Sequence, residues 1–413
     1  MLKRLKLRKL MDGLLQILTF GFSSLSFITL GAILVFLFNQ GWSLMSPDLV
    51  TYNFESDTYL ASIERFDDPC NCVATVELDE TVLFSEKWGL GVTEGLDLLG
   101  QPSISLSYIH PDSPFRTLTN KSSVGPEEFP FLKEYLISKI SYNDRSASFA
   151  RRGAARLVSD LESSNSIYEI EVTTKGGGIR GSLITTLWLI GLTLIVALPI
   201  GIGAALYLNE YARSNQFTKT IRSFIEVLTG VPSIIFGLLG LAIFVPLIVQ
   251  LTSSWDEPAT GGNLISGALT LAVILLPVII RTTEESLKVV PNEYRFASLA
   301  LGASKTQTTF KVVIPNAIPG ILASTLLAIG RIVGESAALI FAIGTIVRDE
   351  ITLTDKSTSL AVHIYSMMTD EPANIALSST IALIILGIVL VLNLSIKFIS
   401  YRFMKGRLGA QVH

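Results

Sequence analysis

Six runs of nearly unbroken apolar residues punctuate the chain, at about 14–38, 183–207, 223–250, 264–280, 316–347 and 376–399. A hydrocarbon core of about 30 Å requires roughly 20 such residues at a rise of 1.5 Å each. Each run therefore predicts a transmembrane helix; the fourth, GALTLAVILLPVII with its flank, is the shortest. Between the first two runs, residues 40–180 are polar, mixed in pattern and long enough for a domain of their own. Strict alternation in VATVELDETVLF and IYEIEVTT predicts strands, and 3.6-residue spacing in FLKEYLISKI and SASFARRGAARLVSDLES predicts helices. The insert reads as α+β.

Composition agrees with lipid as the main solvent. Of the 413 residues 49% are hydrophobic and only 16% charged, a balance that a soluble surface of this size does not tolerate. The net charge of −3 gives no nucleic-acid footprint. What matters is where the cations lie. Lys3, Arg4, Lys6, Arg8 and Lys9 precede the first run, which is too long for a signal-peptide core and is followed by no small-residue cleavage site. It reads as an anchor with a cytoplasmic N-terminus. Six spans then put 208–222, 281–315 and 400–413 in the cytoplasm, and these segments are rich in Lys and Arg. The opposite loop 251–263 has neither, and 348–375 has only Arg348 and Lys356. Both counts obey the positive-inside rule and make the 40–180 insert extracytoplasmic.

Cys70 and Cys72 lie one residue apart, a spacing that strains a mutual disulfide, and only His110, His363 and His413 are available to complete a zinc site. We read the pair as incidental and expect no metal and no cofactor. Pro199, Pro232, Pro246 and Pro277 mark bends in later spans, tolerated where neighbours satisfy the freed backbone.

Two regions carry candidate chemistry. In the fifth span, LLAIGRIVGESAALIFAIG, Arg331 falls twelve residues after Pro319, roughly 18 Å along a helix and near the midplane. Its insertion costs about 2.5–3.5 kcal/mol, so a purely structural role is better filled by apolar residues. Arg331 offers a planar, permanently charged fork to an oxyanion, while Glu335, four residues on and expected on the same helix face, orients it. An internal ion pair that neutralises both is the competing reading. In the loop 281–315, Pro291 and Asn292 open a short helix whose Phe296, Leu299 and Ala300 form an apolar face before Gly302 ends it. Such a patch suits docking of a partner, or a helix lying on the headgroups.

The run Ala297-Ser298-Leu299-Ala300-Leu301-Gly302, followed nine residues on by Val312-Val313-Ile314-Pro315, resembles the EAA loop of ABC-importer permeases, with Gly302 and Pro315 in register. Phe296 stands where that pattern has Glu, and Ser298 where it has its second Ala. LPIGIGAALYLNEYA, TGVPSIIFGLLGL, LKVVPNEYR, LALGASKTQTTFKVVIPNAIPGI and GRIVGESAALIF, in that order over about 180–400, resemble the phosphate permeases, the PstA type more than the PstC type. The resemblance implies an all-α polytopic type I ABC-importer permease fold with six transmembrane helices. Residues 1–39 would be the N-terminus and first span, 40–180 the insert, and 181–413 a five-helix core. It further implies anion passage at Arg331 and Glu335, and ATPase coupling through Phe296, Ala297, Ser298, Leu299, Gly302 and Pro315. The implied partners are a PstC-like second permease, a PstB-like ATP-binding subunit dimer and an extracytoplasmic phosphate-binding protein, in a cytoplasmic membrane with both termini inside. The insert is longer than the resemblance leads one to expect.

No GxxxxGK[ST] motif is present, so the chain is not itself expected to be an ATPase. A permease for another solute shares the coupling loop. A membrane-anchored sensor, with 40–180 as its ligand domain, requires a cytoplasmic output domain that no segment is long enough to supply.

Overall fold

A computed structural model describes residues 2–63, 68–76, 78–97, 102–121, 128–131, 135–369 and 373–410. His413 and residues 132–134 of the expected insert helix lie outside them. Among the described residues six helices are long and apolar enough to cross a membrane: Leu15–Leu44, Arg180–Tyr211, Ser233–Leu251, Leu264–Val289, Lys305–Gly334 and Ile375–Arg402. The first runs from within α1 (Leu2–Gly41) through the 3-10 turn Trp42–Leu44, after which α2 (Pro47–Thr51) leads into the insert.

The insert is a twisted, wholly antiparallel sheet with one helix on its face. Its strands are β1 (Thr58–Ile63), β2 (Val82–Ser85), β3 (Leu90–Leu96), β4 (Pro102–Ile109), β5 (Thr117–Asn120), β6 (Glu128–Pro130), β7 (Tyr135–Tyr142), β8 (Ser148–Phe149) and β9 (Ile167–Thr174). They run in the order β2-β3-β4-β7-β9-β1-β5-β6, with β8 on β7. The helix, α3 (Ala154–Ser163), buries Ala154, Leu157 and Leu161 at helical spacing. They share one core with Leu90, Val92, Ile104, Ile140 and Ile170 of the sheet. Trp88, fully buried, donates its indole N–H to the Leu161 carbonyl (3.0 Å) and Ser164 Oγ (3.2 Å). Its ring supplies area while its one polar atom stays satisfied.

The sequence FLKEYLISKI is not helical: Tyr135–Tyr142 is the strand β7. The cause is a bulge. Ile137 pairs with Val172 but Lys139 with Glu171, so Ser138 is an extra residue in the ladder. Buried Ile137 and Ile140 therefore sit three apart in a strand, which mimics helical spacing. Among the described residues of VATVELDETVLF only 82–84, the start of β2, pair as strand, whereas IYEIEVTT is β9 from end to end.

Beyond the insert, α4 (Arg180–Leu206) continues through a π-helical turn, Tyr207–Tyr211. The expected third span 223–250 is divided. An amphipathic helix, α5 (Gln216–Thr229), ends at Gly230, and Pro232 starts α6 (Ser233–Leu239), which reaches α7 (Val245–Leu251) through a second π turn. Proline holds the residue before it out of the α region, which separates the two helices. α8 (Leu264–Val289) is the most enclosed span, and its polar end runs past the expected limit at 280, with Arg281–Glu285 and Glu284–Lys288 paired one turn apart. Then follow α9 (Asn292–Ala300), α10 (Lys305–Thr308), a π turn, α11 (Ile314–Gly334), α12 (Ala337–Ala342), α13 (Leu360–Thr369) and α14 (Ile375–Ala410). α1 meets α14 where the Gly41 carbonyl accepts from Thr380 Oγ1 (2.8 Å). The approach is close enough that a Cβ on Gly41 would lie 2.6 Å from the Thr380 amide nitrogen.

The chain enters and leaves the insert through a narrow neck. Asp57 and Thr174 exchange hydrogen bonds there, with Asp57 N–H donating to Thr174 Oγ1 and Thr174 N–H to the Asp57 carbonyl, each 2.9 Å. Gly177 N–H and Gly178 N–H donate to the carbonyls of Phe54 (2.9 Å) and Asn53 (3.0 Å).

Candidate translocation path and coupling surface

Arg331 and Glu335 are not on one helix face. α11 stops at Gly334, Glu335 takes an extended conformation (φ −80°, ψ 119°), and a new short helix, α12, starts at Ala337. Two causes act together. Gly334 carries the weakest helix propensity short of proline, and α12 docks on α6 so closely that a Cβ on Gly237 would lie 2.7 Å from the Ala338 Cα. Side-chain-free contact of this kind holds membrane helices together, and here it pulls α12 away from the α11 axis. Glu335 Oε1 accepts the Ala338 N–H (3.3 Å), capping the helix that follows. Arg331 is half-buried, between buried Ile329 and buried Ile332 and Val333. Among the described residues no hydrogen bond or ion pair engages its guanidinium. The expected Arg331–Glu335 pair is therefore absent among the described residues, and the planar cation remains free beside a break in the fifth span.

The loop 281–315 folds around α9. None of the α9 residues is buried. Phe296 is 67% exposed, and Tyr294, Leu299 and Leu301 are exposed beside it, with Ala297. Gly302 adopts φ +85°, with Leu301 N–H on the Ala297 carbonyl and Ala303 N–H on that of Ser298. Only glycine holds this left-handed geometry without strain. Ser298 faces inward, its hydroxyl 2.9 Å from Thr308 Oγ1. Pro315 follows the π turn, in the first turn of α11. The apolar face is thus presented outward, and Ser298 and Gly302 shape the loop that presents it.

Residues that the sequence reading passed over hold this loop in place. Arg295 donates to Glu210 Oε1 (2.8 Å) and to the carbonyls of Val290 (2.6 Å) and Leu287 (2.9 Å). Both charged side chains are nearly buried, at 15% and 8% exposed. One guanidinium thereby caps the end of α8 and ties α9 to the turn that ends α4. Beside it, Arg222 of α5 pairs with Glu284 of α8 (3.2 Å) and donates to the Leu208 carbonyl (2.7 Å). The sequence signal was a Glu just after a span and an Arg in an otherwise outward-facing helix; pairing them requires the tertiary fold.

In the insert, Cys70 and Cys72 are joined by a disulfide, although their spacing argued against a mutual one. Asn71 between them adopts φ +47°, a left-handed turn that asparagine tolerates. His110 lies with the two sulfurs within 4.8 Å, a three-donor arrangement. With both sulfurs in the disulfide no thiolate is left to ligate a metal.

Comparison with known proteins agrees with this architecture. The family described as "Binding-protein-dependent transport system inner membrane component" matches residues 197–405, from within α4 through α14. The chain is 36% identical over 251 residues to the probable ABC transporter permease protein YqgI of Bacillus subtilis, covering 55% of this chain and 82% of that one. It is 37% identical over 165 residues to the phosphate transport system permease protein PstA of Haemophilus influenzae, covering 40% of this chain and 55% of that one. The PstA homolog of Mycoplasma pneumoniae is 32% identical over 243 residues, covering 58% of this chain and 36% of the relative. Among solved structures, an inward-facing MetNI methionine ABC transporter aligns at 20% identity with a TM-score of 0.41, over 55% of this chain and 95% of that one. A multi-pass helical core with a broken fifth span and an outward-facing apolar loop helix is thus joined to a family match covering half the chain, and the protein belongs to the inner-membrane permease components of binding-protein-dependent ABC transport systems.

Proposed function

We propose that the chain is the PstA-type permease subunit of an ATP-driven importer of inorganic phosphate. It pairs with a PstC-like permease, is driven by a PstB-like ATPase dimer seated on α9, and is loaded by a phosphate-binding protein on the insert side. Both termini then face the cytoplasm, as the distribution of Lys and Arg supports. The observation that carries the reading is the unpaired Arg331 guanidinium beside the Gly334–Ser336 break, in a chain with phosphate-permease relatives. A fork of donors with no partner among the described residues suits a tetrahedral oxyanion. Glu335, held by the Ala338 amide, supplies the opposing charge that keeps the anion from lodging. Phe296 and Leu299 serve as apolar anchors for a groove on the ATPase, and the Arg295–Glu210 pair transmits their movement to the spans.

The test is phosphate uptake into proteoliposomes holding all subunits. Uptake requires ATP, and Arg331→Gln lowers it at least tenfold while the ATPase still co-purifies. Unchanged uptake in that variant removes Arg331 from the path. Competition by sulfate, molybdate or arsenate as strong as that by phosphate reassigns the solute to another oxyanion.

A further inference from the structure

The insert does not hang from the core by two flexible strands. Its neck is locked to the segment that follows the broken fifth span, Ile343–Ser359, by Asp349. One carboxylate oxygen accepts the Phe54 N–H (2.8 Å) and the other the Glu55 N–H (3.0 Å). A charged acceptor on two adjacent amides is among the stronger and more directional hydrogen-bonded arrangements. Backbone packs closely on one side of it, at Gly178 and Gly181. A Cβ on Gly181 would collide with the Arg348 carbonyl oxygen, and one on Gly178 with that of Tyr52. Phe54 itself stands edge-on to His363 of α13, ring centroids 5.0 Å apart. From Asp349 the chain runs back through buried Val347 to α12, fixed to α8 by the hydrogen bond of Asn263 N–H to the Ala342 carbonyl (3.1 Å), and so to Glu335. Between Asp349 and α12 the chain is the short segment 343–348, held by buried Val347 and by the Thr345 carbonyl, which accepts from Ser366 Oγ (2.9 Å), so displacement of the insert has a short route to α12.

We propose that Asp349 is a positioning residue that couples the insert to the translocation path, so that a solute-loaded binding protein docking on the insert biases the break at Gly334–Ser336. The proposal rests on the binding-protein-dependent reading above, but its first test does not. In the purified full complex, D349A accelerates hydrogen exchange of the Phe54 and Glu55 amides at least tenfold and leaves that of β7 unchanged. Unchanged exchange at Phe54 and Glu55 overturns the proposal. The second test is ATPase activity in proteoliposomes with and without phosphate-loaded binding protein. D349A keeps basal ATPase and loses at least fivefold of the stimulation, and E55P, which removes one donor and keeps Asp349, loses stimulation in the same direction. Full stimulation in D349A overturns the coupling role. If phosphate-loaded binding protein fails to stimulate even the unaltered complex, the phosphate reading fails while the exchange result still decides whether Asp349 locks the neck.

Discussion

Arg295 and Glu210 illustrate how much one pair can organise. Nearly buried and 2.8 Å apart, they satisfy each other and the last carbonyls of α8, and removing one partner leaves an uncompensated charge. Glu210→Ala is expected to destabilise the protein by about 3 kcal/mol, the lower end of the range for broken buried pairs. The double change Glu210→Ala with Arg295→Met should cost less than that single one. Thermal unfolding in detergent of these two variants and of Arg295→Met alone checks the order, and additive losses refute it. His363 gives a pH prediction. Burial lowers its pKa to about 4 from an ordinary 6.5, and Ser182 Oγ lies 2.9 Å from its Nδ1 while Nε2 is buried with no partner among the described residues. Between these two values the unfolded chain binds the proton that the folded one refuses. Stability therefore rises with pH through this window and is lost as pH falls from about 6.5 toward 4. Melting temperatures across that range should show the slope, and His363→Gln should flatten it.

Among elements, α9 and its turn depend on one glycine. A Cβ on Gly302 would meet nothing within 4 Å, so the cost of replacing it is backbone conformation alone, about 1–2 kcal/mol at φ +85°. Gly302→Val should leave the spans intact, as judged by membrane insertion, yet reduce ATPase co-purification severalfold by swinging Phe296 and Leu299 away. Elements also show where reading a sequence succeeds. The spans were legible because lipid forces roughly 20 apolar residues into each, and the outward face of α9 because its pattern conflicts with an otherwise polar loop. The β7 strand was misread because a single extra residue, Ser138, gives a strand the spacing of a helix. The fifth span was read as continuous through 347 because nothing local to Gly334 reports that α6 draws α12 sideways. Arg331 was found by its charge alone; its lack of a partner, and the Glu210 contact of Arg295, are non-local facts that periodicity does not encode.

At the scale of the whole molecule, the insert has its own core of Trp88, Phe115, Ile137, Leu161 and their neighbours, and its two ends meet at Asp57 and Thr174. Replacing 58–173 by a short Gly-Ser link is therefore expected to leave a core that inserts and still co-purifies with the ATPase, since closing so short a gap costs little chain entropy. Loss of co-purification would show that the core needs the insert in order to fold.

The contact between Gly41 and Thr380 has a consequence for biogenesis. Of the six spans described, α1 is made before the others, yet the window that crosses the membrane has no buried residue, and the helix it touches, α14, is the sixth of them. The insert and four further spans are made between them, so α1 reaches this contact in lipid only after α14 arrives. A nascent chain arrested before residue 375 should therefore expose α1 to lipid-phase crosslinkers that the finished protein resists along its contact with α14.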